Sequence, residues 1–166
     1  MPNSTLAEVR KASIHRGPNK VLEQVSVSIM AGEVVAVTGE NGSGKSTLLE
    51  AFAGIISLRE GEVAWYSESI RIVIRDSEGR RNPPPAMGLT LQKDGMCGDE
   101  TVSERLSVAL SVTGFSPDKD QISELLEKWG LVHRSNERVA HLSGGMRRRL
   151  SILCGLAPAV LSENPI

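Results

Sequence analysis

The sequence predicts an α/β fold with a helical subdomain, and three observations lead there. The first half contains short alternating or continuous apolar segments that read as strands. A glycine-rich loop joins one of these to a helix-compatible segment. From Thr101 onward the apolar period changes from two to about 3.6 residues. The 166 residues fit a single domain, given about 150 residues per domain. With 40% hydrophobic and 23% charged residues the chain can bury a core. Only 3% is aromatic, so Val, Leu, Ile and Ala must fill that core.

Taken in order, Val25, Ser26, Val27, Ser28 and Ile29 alternate apolar and polar, the pattern of a half-buried strand. Ala31, Gly32 and Glu33 form a turn. Val34, Val35, Ala36 and Val37 are continuously apolar, as expected of a strand buried on both faces in a parallel sheet. Residues 45–52 are helix-compatible, with Leu48, Leu49 and Phe52 at helical spacing. Segments 61–65 and 70–74 read as further strands, and the proline-rich stretch 76–85 as an exposed loop. Thr101 and Glu104 make a capping box ahead of Val102, Leu106, Ala109 and Leu110 on one helix face. Ser116, Pro117 and Asp118 start a second helix striped by Ile122, Leu125, Leu126 and Trp129, and Gly130 stops it. A last helix begins near Ser143 and runs through Leu150 and Leu153. The whole of 1–166 is read as one domain, with a helical subdomain over about 95–142.

Composition excludes several classes. Nineteen basic and 20 acidic residues give a net charge of −1, without the basic excess of a dedicated nucleic-acid binder. The longest nearly apolar run, 152–161, contains Gly155 and Pro158, and falls short of the ~18 residues that span a bilayer. No apolar stretch follows a basic start, so no secretory leader is expected. Cys97 and Cys154 lack metal-ligand spacing and read as free, inert thiols of a reducing compartment.

The strongest motif runs Gly39, Glu40, Asn41, Gly42, Ser43, Gly44, Lys45, Ser46, Thr47, which fits G-x-x-x-x-G-K-[ST] between a strand and a helix. Its glycines let successive backbone N–H groups turn toward phosphate oxygens. The helix that follows presents its positive dipole end to the same anion. Lys45 would reach the β- and γ-phosphates of a nucleotide, Ser46 would give its hydroxyl to Mg²⁺, and Thr47 would serve the α-phosphate side. A second anion-binding end is written in Leu142, Ser143, Gly144, Gly145 and Met146, which open the last helix. One nucleotide seldom needs two such ends this far apart in a domain, so a second copy is the natural source of one of them.

These two motifs resemble those of the nucleotide-binding domain of ATP-binding cassette (ABC) transporters. Leu142 to Met146 is similar to the family signature LSGGQ, with Met146 in place of Gln. The resemblance implies a P-loop NTPase (RecA-like) core with an N-terminal antiparallel β subdomain and a helical signature subdomain, incomplete at the C-terminus. It identifies Gln92, after the strand-like segment 87–90, with the family's Q-loop, near Mg²⁺ and the attacking water. Counting back from Val21 and Leu22 puts Arg16, with His15 beside it, where the family stacks an aromatic on adenine. Arg and His planes can also stack on a base. The implied cofactors are ATP and Mg²⁺. Implied partners are membrane-spanning transporter subunits and a second nucleotide-binding domain, in a homodimer or heterodimer. ATP would lie between the P-loop of one copy and Ser143, Gly144 and Gly145 of the other. No nucleic acid is implied: Arg147, Arg148 and Arg149 spread around a helix in a segment that the family keeps Arg-rich. The implied location is cytoplasmic, peripheral on the inner face of the membrane.

Hydrolysis needs a carboxylate for Mg²⁺ and another to polarise water, which the family places at the end of the apolar Walker B strand. Two readings of the C-terminal residues stay open. In one, Val160 to Pro165 is a degenerate Walker B, with Glu163 and Asn164 replacing the two carboxylates in a hydrolysis-deficient regulator. In the other, favoured because Ser162 interrupts a short apolar run, this is the loop before a Walker B strand lost to truncation. A non-transport ABC ATPase is a further alternative. Under either reading the family's remaining strands and helices are absent, and without the Walker B strand the apolar residues of 34–37 lose a sheet neighbour. The 166-residue chain alone is therefore expected to be poorly stable or to aggregate; a cooperative thermal transition with tight ATP binding would overturn that expectation.

Overall fold

The computed structural model describes residues 4–68, 70–85, 87–90, 92 and 95–161. The chain divides into two compact units, the first ending at Pro85. In the first unit a four-stranded antiparallel sheet has the order β2-β1-β3-β4. Its strands are β1 (Thr5–Arg16), β2 (Asn19–Met30), β3 (Glu60–Ser67) and β4 (Ile70–Asp76), with helix α1 (Lys45–Phe52) between β2 and β3 in sequence. Strand β1 has a neighbour on each side: Val9 is paired with Val27 of β2 and with Val63 of β3.

The apolar face of β1 carries Ala7, Val9, Ala12 and Ile14, all buried. Two residues separate most of these positions, but three separate Val9 from Ala12, where the register shifts and Lys11 adopts a φ of 47°. This bulge explains why sequence periodicity did not reveal β1 as a strand. Gly61 sits against it with φ 80°, and a Cβ there would come within 2.2 Å of the Arg10 carbonyl oxygen. Only glycine allows that approach.

Helix α1 buries Leu48, Ala51 and Phe52, while Leu49 stays about half exposed. The indole Nε1 of Trp65 donates to the Phe52 carbonyl at 2.8 Å and ties the end of α1 to β3. Glu8 lies buried among donors. Its Oε1 accepts from Arg71 Nε at 2.6 Å and Tyr66 OH at 3.0 Å, and its Oε2 pairs with Arg10 Nε at 2.9 Å. Burial alone would raise the Glu8 carboxyl, but these donors outweigh it and hold it below its ordinary value.

Two expected strands are absent. Residues 34–37 form no strand, and Val34 is 97% exposed. A run suited to burial on both faces needs pairing partners on both sides, and the described sheet supplies none. Segment 87–90 is also irregular. It packs on a helix rather than beside a strand: a Cβ on Gly155 would lie 2.7 Å from the Leu89 carbonyl oxygen, and one on Gly88 would lie 2.5 Å from that of Gly155.

The second unit is built from α2 (Val102–Val112), α3 (Lys119–Lys128) and α4 (Gly144–Leu161), with short 3₁₀ turns at Val132–Arg134 and Val139–His141. Val102, Leu106 and Leu110 of α2 meet Ile122, Leu125 and Leu126 of α3 and Leu150, Leu153 and Ala157 of α4 in one apolar core. Both expected helix starts are capped reciprocally, Thr101 with Glu104 and Asp118 with Gln121. Helix α4 continues through Val160 and Leu161, so those residues are not a strand. Glu163 and Asn164 lie outside the described residues.

Because the folded Glu8 carboxyl lies below its ordinary 4.5, its contribution to stability is complete above that value and lost as pH falls through the lowered one. Glu8→Gln is expected to flatten this part of the acid limb, measured by urea denaturation from about pH 7 to about pH 3. Arg71→Ala should cost about 1–3 kcal/mol by leaving that carboxylate short of a donor.

Candidate functional site

The glycine loop and α1 form one continuous structure. Gly44 is the N-cap residue, with φ 93°, and no side chain caps the helix. The first main-chain bond of the helix runs from Leu48 N–H to the Gly44 carbonyl at 2.9 Å. The amides of Lys45, Ser46 and Thr47 therefore precede the intrahelical ladder. Gly44 also lies against β2: a Cβ would meet Leu22 Cδ2 at 2.7 Å and Val21 Cγ1 at 3.3 Å. Gly42 has φ 87° with nothing within 4 Å of an added Cβ, so its side of the loop is open.

Lys45 Nζ donates to the carbonyls of Gly39 at 2.8 Å and Glu40 at 2.6 Å. Its ammonium thus spans the loop that carries Asn41, Gly42 and Ser43. Ser46 is exposed, while Thr47 is buried on the side of α1 that faces Arg16. Uncapped amides, an ammonium fixed across them and an exposed hydroxyl form a cradle suited to a polyphosphate and its cation. Among the described residues, no cluster of His, Cys, Asp and Glu offers a metal site by itself.

In the other unit, Ser143 Oγ accepts from Met146 N–H at 3.3 Å, and the Ser143 carbonyl accepts from Arg147 N–H at 2.9 Å. Ser143 is therefore an N-cap. Gly144 and Gly145 are exposed, with nothing within 4 Å of an added Cβ. Buried Leu142 anchors the turn in the apolar core. Gln92 is an exposed loop residue. The structure thus gathers Arg16 and residues 39–47 in the first unit, and Gln92 and residues 143–145 in the second.

A family model for ABC transporters matches residues 22–160. The chain belongs to the ABC transporter family.

Within that family, a methionine import ATP-binding protein of Clostridioides difficile is 29% identical over 160 residues, covering 94% of this chain and 49% of the relative. A cytochrome c biogenesis ATP-binding export protein of Vibrio cholerae is 33% identical, covering 97% of this chain and 73% of the relative. A solved ATP-binding subunit of an ABC transporter superposes with TM-score 0.74 at 27% identity, covering 93% of this chain and 63% of that one. A nucleotide-free ATP-binding cassette gives TM-score 0.72 at 25% identity, covering 94% and 67%. The chain spans about half the length of the methionine-import relatives it matches. No helix among the described residues is long and apolar enough to cross a membrane.

Sequence reasoning missed Glu50. Its carboxylate forms an ion pair with Arg16. Nothing in local spacing links two residues 34 apart.

The two glycine sites are expected to respond oppositely to alanine. Gly44→Ala should destabilise the first unit through steric conflict with Leu22 and a strained φ. Gly145→Ala meets open space and should stabilise α4 by up to about 1 kcal/mol. Chemical denaturation of the two variants measures both effects.

Proposed function

We propose that this chain is the ATP-binding part of an ABC transporter, coupling ATP binding and hydrolysis in the complete protein to movement of membrane-spanning subunits. The observation that carries this reading is the uncapped start of α1, with Lys45 bridging the glycine loop above it. Family membership over residues 22–160 supports it. In this reading the complete protein has the RecA-like core of the family, in a single domain with its helical subdomain at about 95–142.

ATP would supply the phosphoanhydride bond and Mg²⁺ the charge that offsets its phosphates. The backbone of Gly39, Asn41, Gly42, Ser43 and Gly44 holds the phosphate chain. Lys45 would neutralise its outer oxygens, Ser46 would give its hydroxyl to the cation, and the Q-loop role that the family resemblance implies for Gln92 would serve the cation and the attacking water. Ser143, Gly144 and Gly145 of a second nucleotide-binding domain close over the same phosphates. Pairing then depends on nucleotide, which converts binding energy into a shift between open and closed states. The protein works at the cytoplasmic face of the membrane, without nucleic acid.

Titration with a fluorescent ATP analogue tests the site. Lys45→Ala should weaken binding by about 10- to 100-fold, the range for losing a charge-assisted contact. Undiminished binding would overturn the assignment. Ser143→Arg should leave binding to the single copy at high dilution intact, since its own glycine loop is unaltered, and abolish nucleotide-dependent pairing in sedimentation.

A further inference from the structure

Arg16 ends β1, in register with Asn19 across the hairpin turn. Its guanidinium reaches α1 within the same unit. Nε donates to Thr47 Oγ1 at 3.4 Å, and Nη2 is paired with Glu50. The Arg16 side chain nevertheless remains 53% exposed, and Glu50 is 28% exposed. One cation is therefore tethered at two points to the helix that begins at the glycine loop, and still faces solvent.

In-plane hydrogen bonds leave the flat faces of a guanidinium free to stack, and here they also aim its donors at oxygen atoms. Those donors match a phosphate as well as they match a carboxylate. Thr47, the residue Arg16 touches, is on the α-phosphate side of the proposed site.

We propose that Arg16 is a phosphate ligand of the nucleotide site, restrained by Glu50, and that binding exchanges the Glu50 carboxylate for a phosphate oxygen. The inference rests on the nucleotide-binding reading above. It has two consequences. Affinity is set by the phosphates and is nearly indifferent to the base. Arg16 and Glu50 also act on nucleotide affinity in opposite directions, although they support the fold in the same one.

Equilibrium dialysis of the full chain with ATP, GTP and CTP separates these effects. The unaltered chain should bind all three within about threefold of one another, because Arg16 recognises what they share. Arg16→Gln should weaken all three by about tenfold. Glu50→Gln should tighten all three by about two- to fivefold, since a competing exposed ion pair is removed. Thermal melts should show a similar small loss of stability in both variants, because each breaks the same pair. Dissociation constants that move in the same direction in the two variants, or do not move, would overturn the proposal and indicate a purely structural pair. A preference among bases that Arg16→Gln removes would overturn it in favour of stacking. If the unaltered chain binds no nucleotide, or Lys45→Ala binds as well as it does, the nucleotide reading fails and the Arg16 proposal fails with it.

Discussion

An α-helix begins with amide groups that its own ladder cannot satisfy, and the two motifs of this chain are organised around that fact. Helices α2 and α3 solve the problem internally, with capping boxes at Thr101 and Asp118. Helix α1 starts at a glycine with no side-chain cap. Helix α4 has its Ser143 cap but follows it with two exposed glycines. The helices that only support structure are closed at their N-termini. Those that carry the glycine motifs present backbone to solvent, where an anion can complete them.

The remaining structure holds these starts in place. In the first unit, β1 lies between β2 and β3, Gly44 rests on Val21 and Leu22, and Trp65 fixes the far end of α1. In the second, Leu142 and Leu150 sink into the helical core on either side of the signature turn.

Much of this was legible in sequence because the relevant signals are local. The bounds of α1, the Thr101–Glu104 capping box and the stripe of α3 follow from residues a few positions apart. Strand β1 was hidden because its bulge breaks the alternation at Lys11. The apolar run at 34–37 has a composition that suits a strand, yet a strand is a property of its neighbours. At the site, the loop and signature residues were legible as motifs. The Arg16–Glu50 pair was not, since only the packing of β1 on α1 brings those two residues together.

The two tryptophans fall in different units. Trp65 is buried and hydrogen-bonded at the end of α1, whereas Trp129 follows α3 and is half-buried at the edge of the helical core. Each unit therefore has its own intrinsic fluorophore, in a distinct environment. Loosening of α1 would change the emission of one tryptophan and rearrangement of the helical unit that of the other, so single-tryptophan variants could follow the two halves of the chain separately in solution.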